Sequence, residues 1–130
     1  MKKPMSVLLI DDEPSILRLF KIILEKRGYE VFTAETCENG LELAKAILPN
    51  IIVLDFNTKS TMSGIEACQH LREYANTAAT PIIVASGHDK TEMNIPPHIE
   101  MSLSAVLQKP IQFGQLIEAI QQALKEIPHI

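Results

Sequence analysis

The strongest constraint on the fold is a regular alternation of short apolar runs with segments of helical periodicity. Two of the runs, residues 51–54 and 82–85, are apolar at every position and rich in β-branched side chains. A parallel strand covered by helices on both faces has this composition. The complete set of runs comprises residues 7–10, 29–33, 51–54, 82–85 and 105–107. Five strands alternating with helices predict an α/β fold, a doubly wound parallel sheet with helices on both faces.

The segments between the runs carry the 3.6-residue period of amphipathic helices. In the first, the apolar positions are Ile16, Leu19, Phe20, Ile23 and Leu24. They predict one buried stripe, and Gly28 is placed to end this helix. Further helices are predicted over residues 39–48, 64–74 and 113–126. Between residues 87 and 104 the pair Pro96-Pro97 interrupts any helix, so we expect an irregular fourth helical region.

Composition limits the classes of function. The chain has 130 residues, of which 46% are hydrophobic, and its net charge is −4. It is long and apolar enough for one core, and its acidic balance argues against a protein that binds nucleic acid by neutralising phosphates. Cys37 and Cys68 lack the spacing of a zinc site and predict buried thiols in a reducing compartment. We therefore expect a cytoplasmic single domain over residues 1–130, with no output domain, no direct nucleic-acid contact and no membrane contact.

Polar residues follow four of the five predicted strands. Asp11 and Asp12 follow the first, Asp55 the third, Ser86 the fourth and Lys109 the fifth. Ligands of such sheets bind beyond the carboxyl ends of the strands, where these residues converge. Converging carboxylates repel one another, and Mg²⁺ together with a lysine would relieve the repulsion. A carboxylate can also act as a nucleophile and form an acyl phosphate.

Four motifs at the strand ends carry a family resemblance. They are VLLIDDE at residues 7–13, IIVLD at 51–55, PIIVASG at 81–87 and LQKPI at 107–111. Together they resemble the receiver domain of bacterial two-component response regulators, over essentially the whole chain. The resemblance implies a flavodoxin-like sheet of strand order 2-1-3-4-5. It also implies that the domain accepts a phosphoryl group from a sensor histidine kinase or histidine phosphotransfer protein and signals through an unknown downstream protein. Such a domain is not an enzyme in the ordinary sense.

The resemblance also implies roles for individual residues. Asp55 would be the phosphoacceptor. The ligands of Mg²⁺ would be the carboxylates of Asp12 and Asp55 and the backbone carbonyl of Asn57, while Asp11 would hold a metal-bound water.

Further roles concern the groups around the phosphoryl site. Ser86 would be the switch hydroxyl, and Lys109 would pair with Asp55 and then with the phosphoryl oxygens. The Lys109-Pro110 bond is expected to be cis, as is common in the family. His88, two residues after Ser86, would tune the rate of autodephosphorylation.

The sequence departs from the family pattern in three places. Gly64 lies nine residues after Asp55 instead of the usual eight, and Lys59 replaces the usual proline. Val106 stands where the family has its switch aromatic. Pro96-Pro97 falls in the fourth helix. We therefore expect a complete phosphorylation site with an unusual signalling face.

Three alternative interpretations remain open at this point. Asp11 and Asp12 could cap the first helix, since aspartate is a good N-cap residue. The domain could be a pseudo-receiver, an interaction module that works without phosphorylation. Residues 55–58 are also similar to the aspartate-nucleophile signature of haloacid-dehalogenase-type phosphatases, although the order of the acids along the chain is reversed.

Overall fold

A computed structural model describes residues 3–88 and 93–125. The strands are β1 (Ser6–Ile10), β2 (Glu30–Ala34), β3 (Ile51–Asp55), β4 (Ile82–Ser86) and β5 (Ala105–Gln108). The helices are α1 (Pro14–Lys26), α2 (Cys37–Ile47), α3 (Gly64–Glu73), α4 (Pro97–Glu100) and α5 (Phe113–Lys125). Strands and helices alternate throughout, which confirms the predicted α/β class.

The five strands form one parallel sheet of order β2-β1-β3-β4-β5, as the family resemblance implied. The central strand β3 pairs with β1 from Val7↔Ile51 and with β4 as far as Asp55↔Ala85. This register brings the carboxyl ends of β1, β3 and β4 to one edge of the sheet. The site residues at those ends therefore share one rim.

Two hydrophobic layers cover the sheet, because alternate residues of each buried strand point to opposite faces. One layer contains Leu8, Ile52 and Val84 and packs against α2, α3 and α4. The other contains Leu9 and Val53 and packs against α1 and α5. Burial on both faces explains why β3 and β4 are apolar along almost their whole length.

The helices agree with the predicted pattern except in α1 and α4. In α1 the buried residues are Leu17, Phe20 and Leu24, whereas Leu19 is 44% exposed. The buried face of α1 is therefore rotated by part of a turn relative to the predicted apolar stripe. Gly28 follows α1 with φ +94°, the left-handed conformation that glycine favours at a helix end.

The fourth helical region is irregular, as the sequence predicted. The reason differs in one respect: Pro97 does not break a helix but is the first residue of the short α4, where its missing N–H costs nothing. The last helix is described to Lys125, and its predicted end at residue 126 lies outside the described residues. No helix within the described part of the chain is long and apolar enough to cross a lipid bilayer.

Candidate functional site

The predicted site residues lie together at one edge of the sheet. Asp55 and Ser86 are the last residues of β3 and β4, not the first residues of the loops, because ladder pairing continues through Asp55↔Ala85 and Ser86↔Gln108. Both side chains are buried, Asp55 at 3% exposed and Ser86 at 1%. Their position within rigid strands fixes the site more firmly than loop residues could.

Three carboxylates converge at this edge. Asp11, Asp12 and Asp55 each place one oxygen so that the three oxygens lie within 4.8 Å of one another. Burial raises the pKa of Asp11 from 3.8 to about 6, and the charge of Asp55 adds to the rise, although the backbone N–H of Glu13 opposes it. The cluster is therefore electrostatically costly without a cation.

Lys109 supplies one positive charge to this cluster. Its Nζ lies 2.6 Å from Asp55 Oδ2, in an ion pair whose carboxylate is almost fully buried. Burial alone would lower the pKa of Lys109, but the hydrogen bond and charge of Asp55, together with Asp11, raise it above its ordinary value. Lys109 therefore stays protonated. The Lys109-Pro110 peptide bond is cis, as the resemblance implied.

A ring of hydrogen bonds joins the ends of β3, β4 and β5. Asp55 Oδ1 accepts from the backbone N–H of Asn57 at 2.8 Å, and Asn57 Oδ1 accepts from the N–H of Gly87 at 2.8 Å. The carbonyl of Ser86 accepts a hydrogen bond from the backbone N–H of Lys109. The side-chain ammonium of Lys109 in turn donates to Asp55 Oδ2. Both oxygens of the Asp55 carboxylate are thus held in a defined orientation.

Ser86 and His88 line a groove of about 220 Å³ next to Asn57. Ser86 Oγ accepts a hydrogen bond from the backbone N–H of His88 at 3.1 Å, and the His88 residue is exposed. His88 therefore lies beside the predicted switch hydroxyl. The predicted switch position Val106 is partly buried on β5, opposite Val84.

The longer loop after Asp55 packs back onto the protein. Gly64, at its end, lies against the ring of Phe56, where an added Cβ would come within 2.5 Å of Cδ1. This close approach requires glycine there, one position later than in the family pattern. Thr58 is 7% exposed, and its Oγ1 has no hydrogen-bond partner within the described residues.

The capping alternative for the first acidic pair is wrong. The N-cap residue of α1 is Glu13, which makes no side-chain capping bond within the described residues. Asp11 Oδ1 instead accepts from the N–H of Glu13 at 2.9 Å, before the helix begins. Asp12 accepts from Lys59 in the loop after β3. Both carboxylates also contribute an oxygen to the cluster with Asp55.

Sequence reasoning missed the contacts that the loops make across the site. The Asn57–Gly87 bond joins residues 30 positions apart, and the Lys59–Asp12 bond joins residues 47 apart. The one sequence feature that pointed to an unusual loop was the extra residue before Gly64. The length of a loop does not indicate which residues it contacts.

Comparison with known proteins agrees with this geometry. The sequence profile of the response regulator receiver domain matches residues 7–121. The chain belongs to this family. It is 32% identical over 120 residues to KdpE, the KDP operon transcriptional regulatory protein of Escherichia coli, covering 92% of this chain and 51% of that protein. It is 30% identical to PilH of Pseudomonas aeruginosa, covering 91% of this chain and 96% of that protein.

Solved structures show the same fold. A receiver domain from Clostridium thermocellum superimposes with a TM-score of 0.82 at 26% identity, covering 93% of this chain and 94% of that one. The chemotaxis response regulator CheY4 of Vibrio cholerae gives 0.82 at 25% identity, covering 93% and 99%. The chain spans about half the length of the first curated relatives it matches.

The residues present fit a magnesium ion. The clustered atoms are carboxylate oxygens, which are the hard ligands that Mg²⁺ prefers. Three acids face one lysine, and the pKa of Asp11 is raised chiefly by burial, with the charge of Asp55 adding to the rise. The donor set and the charge balance are both suited to a divalent cation.

Proposed function

We propose that this receiver domain accepts a phosphoryl group on Asp55 in a Mg²⁺-dependent reaction. The observation that carries the proposal is the Asp55 carboxylate itself, 3% exposed, held by Lys109 at 2.6 Å and placed within the three-carboxylate cluster. An ordinary structural ion pair would not need two further acids beside it. Asp11, Asp12, Asp55 and the backbone carbonyl of Asn57 would hold the metal.

The proposed reaction is an exchange of bonds at phosphorus. A carboxylate oxygen of Asp55 attacks the phosphorus of a phosphohistidine, forming a P–O bond as the P–N bond breaks. The electron pair of that bond remains on the imidazole nitrogen, which then binds a proton. Bound Mg²⁺ would neutralise charge on the transferred group and its acceptor. The transfer requires chiefly positioning and charge stabilisation.

The protein's own groups supply that positioning. The Asn57 N–H orients Oδ1 of Asp55, and Lys109 neutralises Oδ2. After transfer, the Lys109 ammonium would bind a phosphoryl oxygen and the Ser86 hydroxyl would donate to another. Preorganised donors of this kind cost little reorganisation during the reaction.

The donor protein would dock beside α1. A groove of about 470 Å³ runs between α1 and the segment after β5, with Asp11 and Lys109 at its wall. Leu19 and Phe113, 44% and 38% exposed, supply apolar surface there.

We expect Leu19→Glu to slow transfer from a histidine phosphotransfer protein at least about tenfold, as loss of an apolar anchor does. The rate at which the Leu19→Glu variant is phosphorylated by a small-molecule donor should not change. Equal slowing with both donors would reject this docking site.

His88 would tune loss of the phosphoryl group, because it lies beside Ser86 at the rim of the site. Replacing His88 by alanine should change the decay rate of the phosphorylated domain. His98→Ala, at an exposed position of α4, is the matched control and should not. Identical decay in wild type and His88→Ala would remove His88 from the mechanism.

The proposal is tested with phosphoramidate, a small donor that carries the same P–N bond. After brief incubation with Mg²⁺, intact-mass measurement should show one added phosphoryl group. The adduct should be absent from Asp55→Asn and from wild type in EDTA.

A wild type without adduct, even at short cold time points, would favour the pseudo-receiver. Sustained turnover of a phosphate monoester would favour the phosphatase alternative. The output partner, the single-domain organisation and the cytoplasmic location remain predictions.

A further inference from the structure

The loop that follows Asp55 reaches the acidic cluster from the side. We call residues 56–63 the acceptor loop. Within it, the backbone N–H of Lys59 donates to Asp12 Oδ2 at 3.1 Å. Asp12 makes this bond while it also contributes an oxygen to the cluster with Asp11 and Asp55. A backbone donor from a different loop therefore holds one of the proposed metal ligands.

The far part of the acceptor loop is fixed to the first turn of α2. Ser60 Oγ accepts from the N–H of Cys37 at 3.4 Å and donates to the carbonyl of Met62 at 2.7 Å. The N–H of Met62 donates to Glu38 Oε1 at 2.5 Å. These bonds limit the freedom of the loop on the C-terminal side of Lys59.

Position 59 carries a backbone N–H in this chain, because it is occupied by lysine. The family usually has proline there, and proline has no N–H to donate. Here the loop is one residue longer and presents a donor to Asp12. Hydrogen bonds to a metal-ligating carboxylate orient it toward the metal.

We propose that the Lys59 backbone N–H is a positioning group for Mg²⁺ binding, kept in place by the contacts of the acceptor loop with α2. The inference rests on the proposed metal site. The N–H holds the Asp12 carboxylate beside those of Asp11 and Asp55. Groups that orient a metal ligand in this way typically change metal affinity by about 10- to 100-fold when removed.

The test compares two substitutions at one position. Lys59→Pro removes the N–H, whereas Lys59→Ala removes the side chain and keeps it. Mg²⁺ is titrated into each metal-free protein and binding is followed by ¹H–¹⁵N NMR. We expect Lys59→Pro to weaken binding about tenfold. Lys59→Ala should stay within about twofold of wild type, since it retains the donor.

A second pair of variants tests the anchor without changing the backbone at Lys59. Ser60→Ala removes the Ser60 contacts with Cys37 and Met62, and should weaken Mg²⁺ binding by less than about tenfold, because Ser60 acts on the metal ligand only through Lys59. Thr61→Ala, at an exposed position of the same loop, should leave affinity unchanged. Urea unfolding of the metal-free proteins is measured in parallel, because a purely structural role would move the unfolding midpoint and not the affinity.

Each outcome has a distinct meaning. Equal affinities for Lys59→Pro and Lys59→Ala, or for Ser60→Ala and Thr61→Ala, would overturn the positioning role while the metal site stands. If Lys59→Pro does not fold, the Ser60 and Thr61 pair decides. A wild type that binds no Mg²⁺ would overturn both this inference and the proposed function.

Discussion

Replacing Asp11 by asparagine should stabilise the metal-free domain. In the fold the pKa of Asp11 is raised from 3.8 to about 6, chiefly by burial and then by the nearby charge of Asp55. That rise corresponds to about 3 kcal/mol at most. Asp11 is only partly buried, and solvent screening reduces the expected gain to about 1 kcal/mol. Asparagine keeps an oxygen that can accept the Glu13 N–H bond and carries no charge.

The pH dependence has a definite sign. Folded Asp11 binds its proton more tightly than unfolded Asp11, so the contribution of Asp11 to wild-type stability falls as pH rises through the window from 3.8 to about 6. Urea unfolding in EDTA, followed by circular dichroism, should show the Asp11→Asn advantage at pH 7.5 and its loss near pH 4. Saturating Mg²⁺ should reverse the order, because only wild type keeps all three carboxylates.

The control for net charge is Glu42→Gln, which removes one negative charge at an exposed position of α2. It should not reproduce the stabilisation. If Asp11→Asn is no more stable than wild type at pH 7.5 in EDTA, the carboxylates do not strain the metal-free site. The electrostatic reasoning for a cation would then be refuted.

Two further substitutions test the framework around the site. Arg72→Leu should lower the free energy of unfolding by about 2 kcal/mol, since it removes the charged hydrogen bonds by which the guanidinium bridges the partly buried carbonyls of Thr77, Thr80 and Ser102 and the exposed one of Ala78. Denaturant unfolding measures this, and an unchanged midpoint would contradict it. Leu48→Gly should raise stability by about 1 kcal/mol, because Leu48, the C-cap residue after α2, has the left-handed φ of 50° and is 47% exposed. Thermal unfolding is the assay, with a lower melting temperature as the opposing result.

The sheet and the convergence of the site were predictable because both follow from local pattern. Apolar runs buried on both faces identify β3 and β4, and parallel strands necessarily bring their carboxyl ends together. Asp55, Ser86 and Lys109 were therefore predicted to lie at one edge of the sheet, and they do, although Asp55 and Ser86 are the last residues of β3 and β4 and do not follow them. The burial of Cys37 and Cys68 also followed from composition, and burial raises the pKa of both thiols.

What could not be predicted depends on contacts distant in sequence. Leu19 belongs to the apolar periodicity of α1, yet it is exposed because Leu17 takes the inward position. The guanidinium of Arg72 bonds a carbonyl 30 residues away, and no local pattern in α3 indicates that partner. The contact between Lys59 and Asp12 likewise depends on how a long loop packs, which neither propensity nor spacing encodes.

The most direct test of the central claim is to trap the acyl phosphate chemically. The domain is phosphorylated with phosphoramidate and Mg²⁺, then treated with borohydride, which reduces an aspartyl phosphate to homoserine with release of phosphate. Peptide mass spectrometry should find homoserine at position 55 in wild type, and nowhere in Asp55→Asn. Homoserine at Asp11 or Asp12, or at no position despite a phosphorylated protein, would contradict the assignment of Asp55 as the phosphoacceptor.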